Sequence, residues 1–128
     1  MELLLDTHSL LWFIAGDKKL SKHAKSLITD INNRTLVSVV SLWEIVIKVG
    51  KGKLILSRPF EELLPEQLAL NDIERLPIKL EHLFVLAQLP LHHGDPFDRM
   101  IIAQAIAENL PIVSKDSLFD EYPVQIIW

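Results

Sequence analysis

The sequence predicts an α/β protein, a three-layer α/β/α sandwich in which helices cover both faces of a mainly parallel sheet. Short apolar runs alternate with segments of helical spacing in the order β-α-α-β-α-α-β-α-α-β-α-β, which is typical of parallel strands joined by crossover helices. Several of these runs are apolar throughout, as in strands that are buried on both faces. The length of 128 residues predicts a single domain, residues 1–128.

Five short runs rich in aliphatic and β-branched residues predict the strands. They are residues 2–5, 35–40, 74–78, 110–114 and 124–128. The segments between them predict helices or, for the last of them, a short helical turn. They are residues 8–15, 20–31, 41–50, 60–71, 80–89, 95–109 and 115–121.

Capping residues mark the ends of several predicted helices. Gly16 and Gly50 each follow or close a helical segment, as glycine commonly does. Ser21 is the predicted N-cap of the second helix. The clearest helix in the chain begins after Asp95, its predicted cap, and has proline at the first helical position.

Four acidic residues follow predicted strands and lie near helix starts: Asp6, Glu44, Asp98 and Asp116. Because the carboxyl ends of parallel strands form the ligand crevice of an open sheet, these carboxylates are expected to converge. Two unit charges about 4 Å apart repel by roughly 4 kcal/mol at an effective dielectric near 20. A cation would stabilise such a cluster, and oxygen ligands favour Mg²⁺ or Mn²⁺ over zinc. The pattern predicts a divalent-metal site for chemistry on phosphate.

Each acid also has a purely structural interpretation. Ser41 with Glu44, and Asp95 with Asp98, have the spacing of capping boxes. The other two acids can each cap the helix that follows, where the helix dipole favours a negative charge. Capping explains each acid singly, whereas their joint placement at one edge of the sheet favours the metal site.

Other polar residues lie close to these acids in the sequence. His8, Arg99 and Lys115 are candidates for contacts with a substrate. His92 and His93 are candidate transition-metal ligands, with solvation or simple hydrogen bonding as the alternative. The dominance of oxygen ligands favours the alternative.

A basic segment, Lys48 to Arg58, has two interpretations. Beside an acidic crevice, its lysines would hold a phosphate backbone. Alternatively, Lys48 pairs with Glu44 at the i,i+4 spacing of a helix, and the other basic residues solvate a turn.

The composition excludes several classes of protein. Cysteine is absent, so no disulfide or thiolate site is possible. No apolar run is long enough to span a membrane, and a soluble, cytoplasmic protein is expected. The common signatures of nucleoside-triphosphate, dinucleotide and serine-hydrolase sites are missing. The net charge of −4 is unusual for a nucleic-acid-binding domain, although bound divalent ions would offset it.

Four segments, in this order, resemble the PIN-domain ribonucleases, and most closely the VapC-type toxins of type II toxin–antitoxin pairs. They are DTHSLLW from Asp6, SLWEI from Ser41, DPFDR from Asp95 and SKD from Ser114. The resemblance extends over essentially the whole chain. It implies a PIN-like α/β/α sandwich and a Mg²⁺- or Mn²⁺-dependent endoribonuclease that hydrolyses RNA. It also implies a homodimer that a cognate antitoxin holds inactive.

The resemblance also assigns site residues by motif. It implies that the metal-site acids are Asp6, Glu44, Asp98 and Asp116. Asp95 would be an accessory acid or the cap that positions its neighbour. Ser114 occupies the place where the family commonly has a hydroxyl residue. The RNA that is cut does not follow from the resemblance.

Two other functions remain open from the residues. A receiver-like or phosphatase-like domain would form an aspartyl phosphate on Asp6 near Lys115, although the second acid typical of many such phosphatases is missing. A non-catalytic partner-binding domain would use large apolar anchors such as Trp12, Trp43 and Trp128.

Overall fold

All five predicted strands are present in the computed structural model, which describes residues 1–128. They are β1 (Glu2–Leu5), β2 (Arg34–Ser38), β3 (Ile73–Leu76), β4 (Ile112–Val113) and β5 (Ile126–Ile127). The strand order is β3-β2-β1-β4-β5, and every neighbouring pair is parallel. The predicted parallel sheet is therefore confirmed.

The predicted helices are present as well, in the predicted alternation with the strands. They are α1 (Thr7–Ala15), α2 (Lys22–Thr29), α3 (Val39–Gly50), α4 (Phe60–Leu70), α5 (Leu80–Gln88) and α6 (Pro96–Glu108). A short 3₁₀ helix covers Ser117–Glu121. None of the helices combines the length and the apolarity that crossing a membrane requires.

Apolar side chains pack against both faces of the sheet and create the three layers. Leu3 and Leu5 belong to one core, together with side chains of α1, α2 and α4. Leu4 belongs to the other core, with Ile101 of α6 and Phe119 of the 3₁₀ helix. This division follows from strand geometry, because successive side chains of a strand point to opposite faces. The α/β/α sandwich predicted from the sequence is confirmed.

The predicted caps set the ends of the helices near the sheet. Gly16 ends α1 with a φ of 64°, in the left-handed region that glycine adopts without strain. The hydroxyl of Ser21 accepts a hydrogen bond from the N–H of Ala24 at 3.0 Å and caps α2. These local signals agree with the tertiary structure, so α1 ends and α2 begins where the sequence predicts.

Helix α3 begins earlier than the sequence predicts. The strand was expected to continue to residue 40, but β2 ends at Ser38, and Ser38 Oγ accepts a hydrogen bond from the N–H of Val40 at 3.0 Å. This cap and the burial of Val40 override the β-propensity of the valines. Ser41 and Glu44 both lie inside the helix, and the predicted capping box between them is wrong.

The strand order reverses between β1 and β4, and this reversal creates a crevice at the carboxyl ends of the two strands. Leu5 lies beside Val113 in the register of the sheet. The backbone N–H of Asp6 donates to the carbonyl of Val113 at 3.2 Å. Asp6 and Ser114, the first residues after the two strands, consequently meet in the crevice.

Candidate metal centre

Asp6 lies at the bottom of the crevice and is 4% exposed. Its Oδ1 accepts a hydrogen bond from the N–H of Ser9 at 2.9 Å, and its Oδ2 accepts one from the hydroxyl of Ser114 at 2.6 Å. Burial raises the pKa of Asp6, and these hydrogen bonds act in the opposite direction. The carboxylate both caps α1 and is held in place from β4.

Asp116, the third residue after β4, faces the same crevice. Its backbone N–H donates to Ser114 Oγ at 3.0 Å, so that one hydroxyl joins Asp6 to the backbone of Asp116. Its Oδ1 accepts a hydrogen bond from the N–H of Leu118 at 2.9 Å and caps the 3₁₀ helix. Its Oδ2 points toward a histidine, His93.

Asp98 reaches the crevice from the first turn of α6. Asp95 Oδ1 accepts hydrogen bonds from the N–H groups of Phe97 at 2.8 Å and Asp98 at 3.1 Å, so Asp95 is the predicted N-cap. Burial and then the neighbouring acids, with Asp95 before Glu44 and Asp6, raise the pKa of Asp98 to about 7. The raised pKa thus reflects burial first and the repulsion of the neighbouring acids second, and His93 acts in the opposite direction.

Glu44 is 4% exposed and enters from α3. Its Oε1 accepts a hydrogen bond from the hydroxyl of Thr7 at 2.7 Å, and its Oε2 lies 3.0 Å from Nζ of Lys48.

The i,i+4 pair predicted for Lys48 is present, and Arg58 pairs with Glu66. Neither of these two basic groups is therefore free to form the predicted phosphate-binding strip.

His93 lies among the acids and is 8% exposed. Its Nδ1 accepts a hydrogen bond from the N–H of Asp95 at 3.2 Å, so the hydrogen of the neutral ring is on Nε2. Nε2 lies 3.1 Å from Asp98 Oδ2 and also 3.1 Å from Asp116 Oδ2. His92 instead packs against Tyr122, with ring centroids 5.2 Å apart.

The donor atoms of this cluster fit a hard divalent cation. Ligand atoms of His93, Asp98 and Asp116 all lie within 4.8 Å of one another. His93 directs its N–H to Asp116 Oδ2 and lies 3.1 Å from Asp98 Oδ2, which suits a hydrogen-bond donor beside the carboxylates. Oxygen donors match Mg²⁺ or Mn²⁺ better than zinc.

The residues predicted to contact a substrate separate into two groups. His8 and Lys115 are exposed and line a pocket of about 420 Å³ together with Asp6 and Asp116. Arg99 lies elsewhere, because its guanidinium donates to the carbonyls of Leu89 at 3.1 Å and Pro90 at 2.9 Å. Arg99 thus fastens the segment after α5 to α6 instead of facing the crevice.

Three residues of the cluster were not assigned their structural role by sequence reasoning. Thr7 donates a hydrogen bond to Glu44. Nothing in the sequence around Thr7 predicts this contact except its position directly after Asp6. Ser41 was linked to Glu44 by its spacing, yet its Oγ lies 2.9 Å from Thr7 Oγ1 inside the helix. His93 was considered as a metal ligand, and its Nε2 lies among the possible ligand atoms, hydrogen-bonded to Asp116 and 3.1 Å from Asp98.

Comparisons with known proteins agree with this fold. The model of the PIN domain family matches residues 3–125. The crystal structure of VapBC2 from Rickettsia felis, bound to a DNA fragment from its promoter, is similar with a TM-score of 0.76 and 20% identity, and the match covers 100% of this chain and 99% of that chain.

Two further solved structures have the same fold. DNA-bound VapBC from Salmonella typhimurium gives a TM-score of 0.70 at 21% identity, over 99% of this chain and 97% of that chain. VapBC-5 from Mycobacterium tuberculosis, a member of the VapBC family of toxin-antitoxin systems, gives 0.62 at 22% identity, over 98% and 97%. No curated protein sequence matches the chain.

Proposed function

Because this chain belongs to the PIN domain family, we propose that it is a divalent-metal-dependent endoribonuclease, the toxin of a toxin–antitoxin pair, acting on RNA in the cytoplasm. The observation that carries the proposal is the group of four acids around the crevice between β1 and β4, with the raised pKa of Asp98 among them. The hydroxyls nearest to these acids, Ser114 and Thr7, both donate to carboxylates. Their engagement supports attack by water over attack by a side-chain nucleophile.

The roles of the acids follow from their contacts. Asp6, Asp98 and Asp116 would hold the metal ion, since each directs a carboxylate toward the crevice. A bound divalent ion supplies Lewis-acid stabilisation of the phosphate and lowers the pKa of water. Both oxygens of Glu44 are already engaged by Thr7 and Lys48, which suits a carboxylate that orients water or completes the ligand shell.

Substrate binding is assigned to the open side of the crevice. His8 and Lys115 are exposed beside Asp6 and Asp116 and can donate to phosphate oxygens. A positive group at this point also offsets the repulsion between the acids and an incoming phosphate backbone. RNA is the substrate class of the PIN-domain ribonucleases that the sequence motifs resemble.

An apolar groove beside the crevice supports the antitoxin partner. The groove encloses about 710 Å³ between α1 and residues 54–57, and Leu11 and Leu63 contribute to its lining. It shares His8 and Trp12 with the acidic pocket. An antitoxin segment with apolar side chains for the groove and a basic side chain for the acids would cover both. The similar solved structures are VapBC complexes, which agrees with this partner.

Exposed apolar side chains on α3 and α5 support a homodimer. Trp43 is 59% exposed, Leu80 is 62% exposed and Phe84 is 61% exposed. Large apolar side chains in such positions commonly mark a protein interface. Light scattering on the wild type and on Phe84→Glu would test this assembly, and a monomeric wild type at micromolar concentration would contradict it.

Asp6→Asn tests the proposed activity. We expect Mn²⁺-dependent cleavage of single-stranded RNA to fall at least about 100-fold, because the variant loses a charged ligand at the bottom of the crevice. Asp120→Asn is the matched control, since Asp120 is exposed on the 3₁₀ helix and belongs to no part of the cluster. Undiminished cleavage by Asp6→Asn would contradict the assignment, as would wild-type cleavage that persists in EDTA.

The aspartyl-phosphate alternative is less well supported. Asp6 is buried, and both of its oxygens accept hydrogen bonds from Ser9 and Ser114. A nucleophilic carboxylate must reach the phosphorus of an incoming phosphoryl group, and the burial of Asp6 restricts that approach. Stable binding of beryllofluoride to Asp6 without any RNA cleavage would favour this alternative.

A further inference from the structure

We infer that His93 is a positioning residue that sets the separation of the Asp98 and Asp116 carboxylates before a metal ion binds. The inference rests on the proposed metal-dependent function and deepens it, because it concerns how the ligands are arranged. Three observations carry it: the ring is fixed, its one N–H bonds to Asp116 while the same nitrogen lies 3.1 Å from Asp98, and its other nitrogen is already occupied.

The ring of His93 is fixed from several directions. Its Nδ1 accepts the N–H of Asp95 at 3.2 Å, and its own backbone N–H donates to the hydroxyl of Tyr122 at 2.8 Å. Its ring also packs on Phe119, with centroids 5.7 Å apart. The Tyr122 bond fixes the backbone, and the ring cannot rotate without breaking its bond to Asp95 and its packing on Phe119.

The single N–H of the ring donates to one acid and lies beside a second acid from another element. Nε2 donates to Asp116 Oδ2 after β4 at 3.1 Å and lies 3.1 Å from Asp98 Oδ2 on α6. The ligand oxygens of the two carboxylates lie within 4.8 Å of each other and repel, and the positive edge of the ring beside them offsets part of the repulsion. Each oxygen keeps a second lone pair for a cation, so the donor and a metal ion can be accommodated together.

His93 is placed to hold the metal ligands in position, and it is not placed to coordinate the metal itself. To coordinate a metal through Nε2, the ring would have to move its hydrogen to Nδ1. Nδ1 faces the backbone N–H of Asp95, which is itself a donor. Two donors would then oppose each other inside a buried cluster, an arrangement that is strongly disfavoured.

His82 provides a matched control within the same protein. Its Nδ1 accepts the N–H of Lys79 at 3.0 Å, and its Nε2 lies 2.9 Å from Glu108 Oε1. The contacts of His82 therefore resemble those of His93, but they lie between α5 and α6, away from the crevice. Asparagine at either position removes the N–H at the position of Nε2, whereas glutamine can restore it.

The test compares His93→Asn, His93→Gln and His82→Asn by calorimetric titration with Mn²⁺ at pH 7.5. We expect His93→Asn to weaken Mn²⁺ binding about 10-fold or more, as for other outer-shell partners of metal ligands. We expect His93→Gln to remain within about 3-fold of the wild type, and His82→Asn to bind Mn²⁺ unchanged. Loss of affinity in both His93 variants alike would identify a metal ligand and overturn the inference. Unchanged affinity in His93→Asn would overturn it too.

A second measurement does not depend on metal. In EDTA, we expect His93→Asn to lower Tm by several degrees, and we expect that loss to shrink by at least half when Asp98→Asn is already present. The shrinkage follows because the histidine has then lost one of the charges that it separates. Equal losses of Tm in the two backgrounds would overturn the inference. If the wild type bound no Mn²⁺, the proposed function would fail, and this cycle would still decide the role of His93.

Discussion

Two histidine–carboxylate clusters in this protein have nearly the same geometry and opposite electrostatics. His82 and His93 each accept a backbone N–H at Nδ1 and approach a carboxylate with Nε2. Glu108, beside His82, has its pKa lowered by the hydrogen bond from His82 and by Lys79. Asp98, beside His93, has its pKa raised to about 7 by burial and by further acids.

The difference shows how a structural cluster can be told from a functional one. Between α5 and α6 the charges are matched, because Lys79 and His82 both contact the single carboxylate of Glu108. In the crevice, Lys48 pairs with Glu44 and the imidazole of His93 contacts Asp98 and Asp116, while the further cationic side chains, His8 and Lys115, are exposed at the rim. Negative charge that the fold leaves uncompensated stays available for a cation, and that is a property of a binding site.

The largest expected effect comes from neutralising one acid in each cluster. Asp98→Asn should reduce metal-dependent cleavage at least about 100-fold, and it should raise Tm in EDTA by about 3 °C or more because it removes a repelled charge. Glu108→Gln should leave cleavage unchanged and lower Tm slightly. Cleavage assays and thermal melts of both variants check this contrast, and a lower Tm for Asp98→Asn would mean that the crevice is also a matched cluster.

Truncation of His82 should mainly affect stability. His82→Ala removes a fully buried ring together with its contacts to the start of α5 and to Glu108. We expect the free energy of unfolding to fall by about 2–3 kcal/mol, from the cavity and from the lost hydrogen bonds. Urea denaturation measures this loss. Mn²⁺ affinity should stay at the wild-type value, and a reduced affinity would show that the two clusters are coupled.

The pH dependence of metal binding should sharpen the comparison further. Because the pKa of Asp98 is about 7, the folded protein must release a proton from this carboxyl when a cation binds at lower pH. Mn²⁺ affinity should therefore fall about tenfold for each pH unit below 7, as calorimetry between pH 5.5 and 7.5 would reveal. An affinity that is constant over this range would contradict the raised pKa.

The raised pKa of Asp98 also determines whether the free energy of unfolding rises or falls with pH. Between the usual pKa of 3.8 and about 7, folded Asp98 binds a proton more tightly than the unfolded chain does. In metal-free protein, its contribution to the free energy of unfolding should fall as pH rises through this window. Asp98→Asn should abolish that contribution, and an unchanged pH profile in the variant would assign the dependence to another group.

The smallest expected effect concerns the exposed end of the matched cluster. Nζ of Lys79 lies 3.3 Å from Glu108 Oε1 with about half of its side chain exposed, and such pairs contribute little in water. Lys79→Ala should change the free energy of unfolding by less than about 1 kcal/mol and leave Mn²⁺ binding unaltered. A larger loss in urea denaturation would show that Lys79 compensates charge more strongly than its exposure suggests.

Most of the architecture follows from local patterns in the sequence. The alternation of apolar runs and helical segments predicts the parallel sheet, and the caps at Gly16, Ser21 and Asp95 predict the helix ends. These signals are correct because local preference and tertiary packing agree. At the junction of β2 and α3 they disagree, since two valines favour a strand while the Ser38 cap begins a helix.

The candidate site also has features that the sequence predicts and features that it does not predict. Strand ends predict that the four acids approach one crevice, because parallel topology brings those ends together. The role of His93 depends instead on contacts with Tyr122 and Phe119, which lie 29 and 26 positions further along the chain. The place of Arg99 depends on the path of the segment after α5. Such distant contacts leave no periodic pattern in a single sequence.

The pairing of β1 with β4 brings together parts of the crevice that are synthesised at very different times. The hydroxyl of Ser114 reaches Asp6 across 108 positions of the chain. Contacts between such distant positions form late, and a chain that has not yet been synthesised as far as β4 lacks Ser114 and Asp116. On the proposed function, the growing toxin therefore has no assembled active site, and cannot attack RNA, until β4 has been made and has paired with β1.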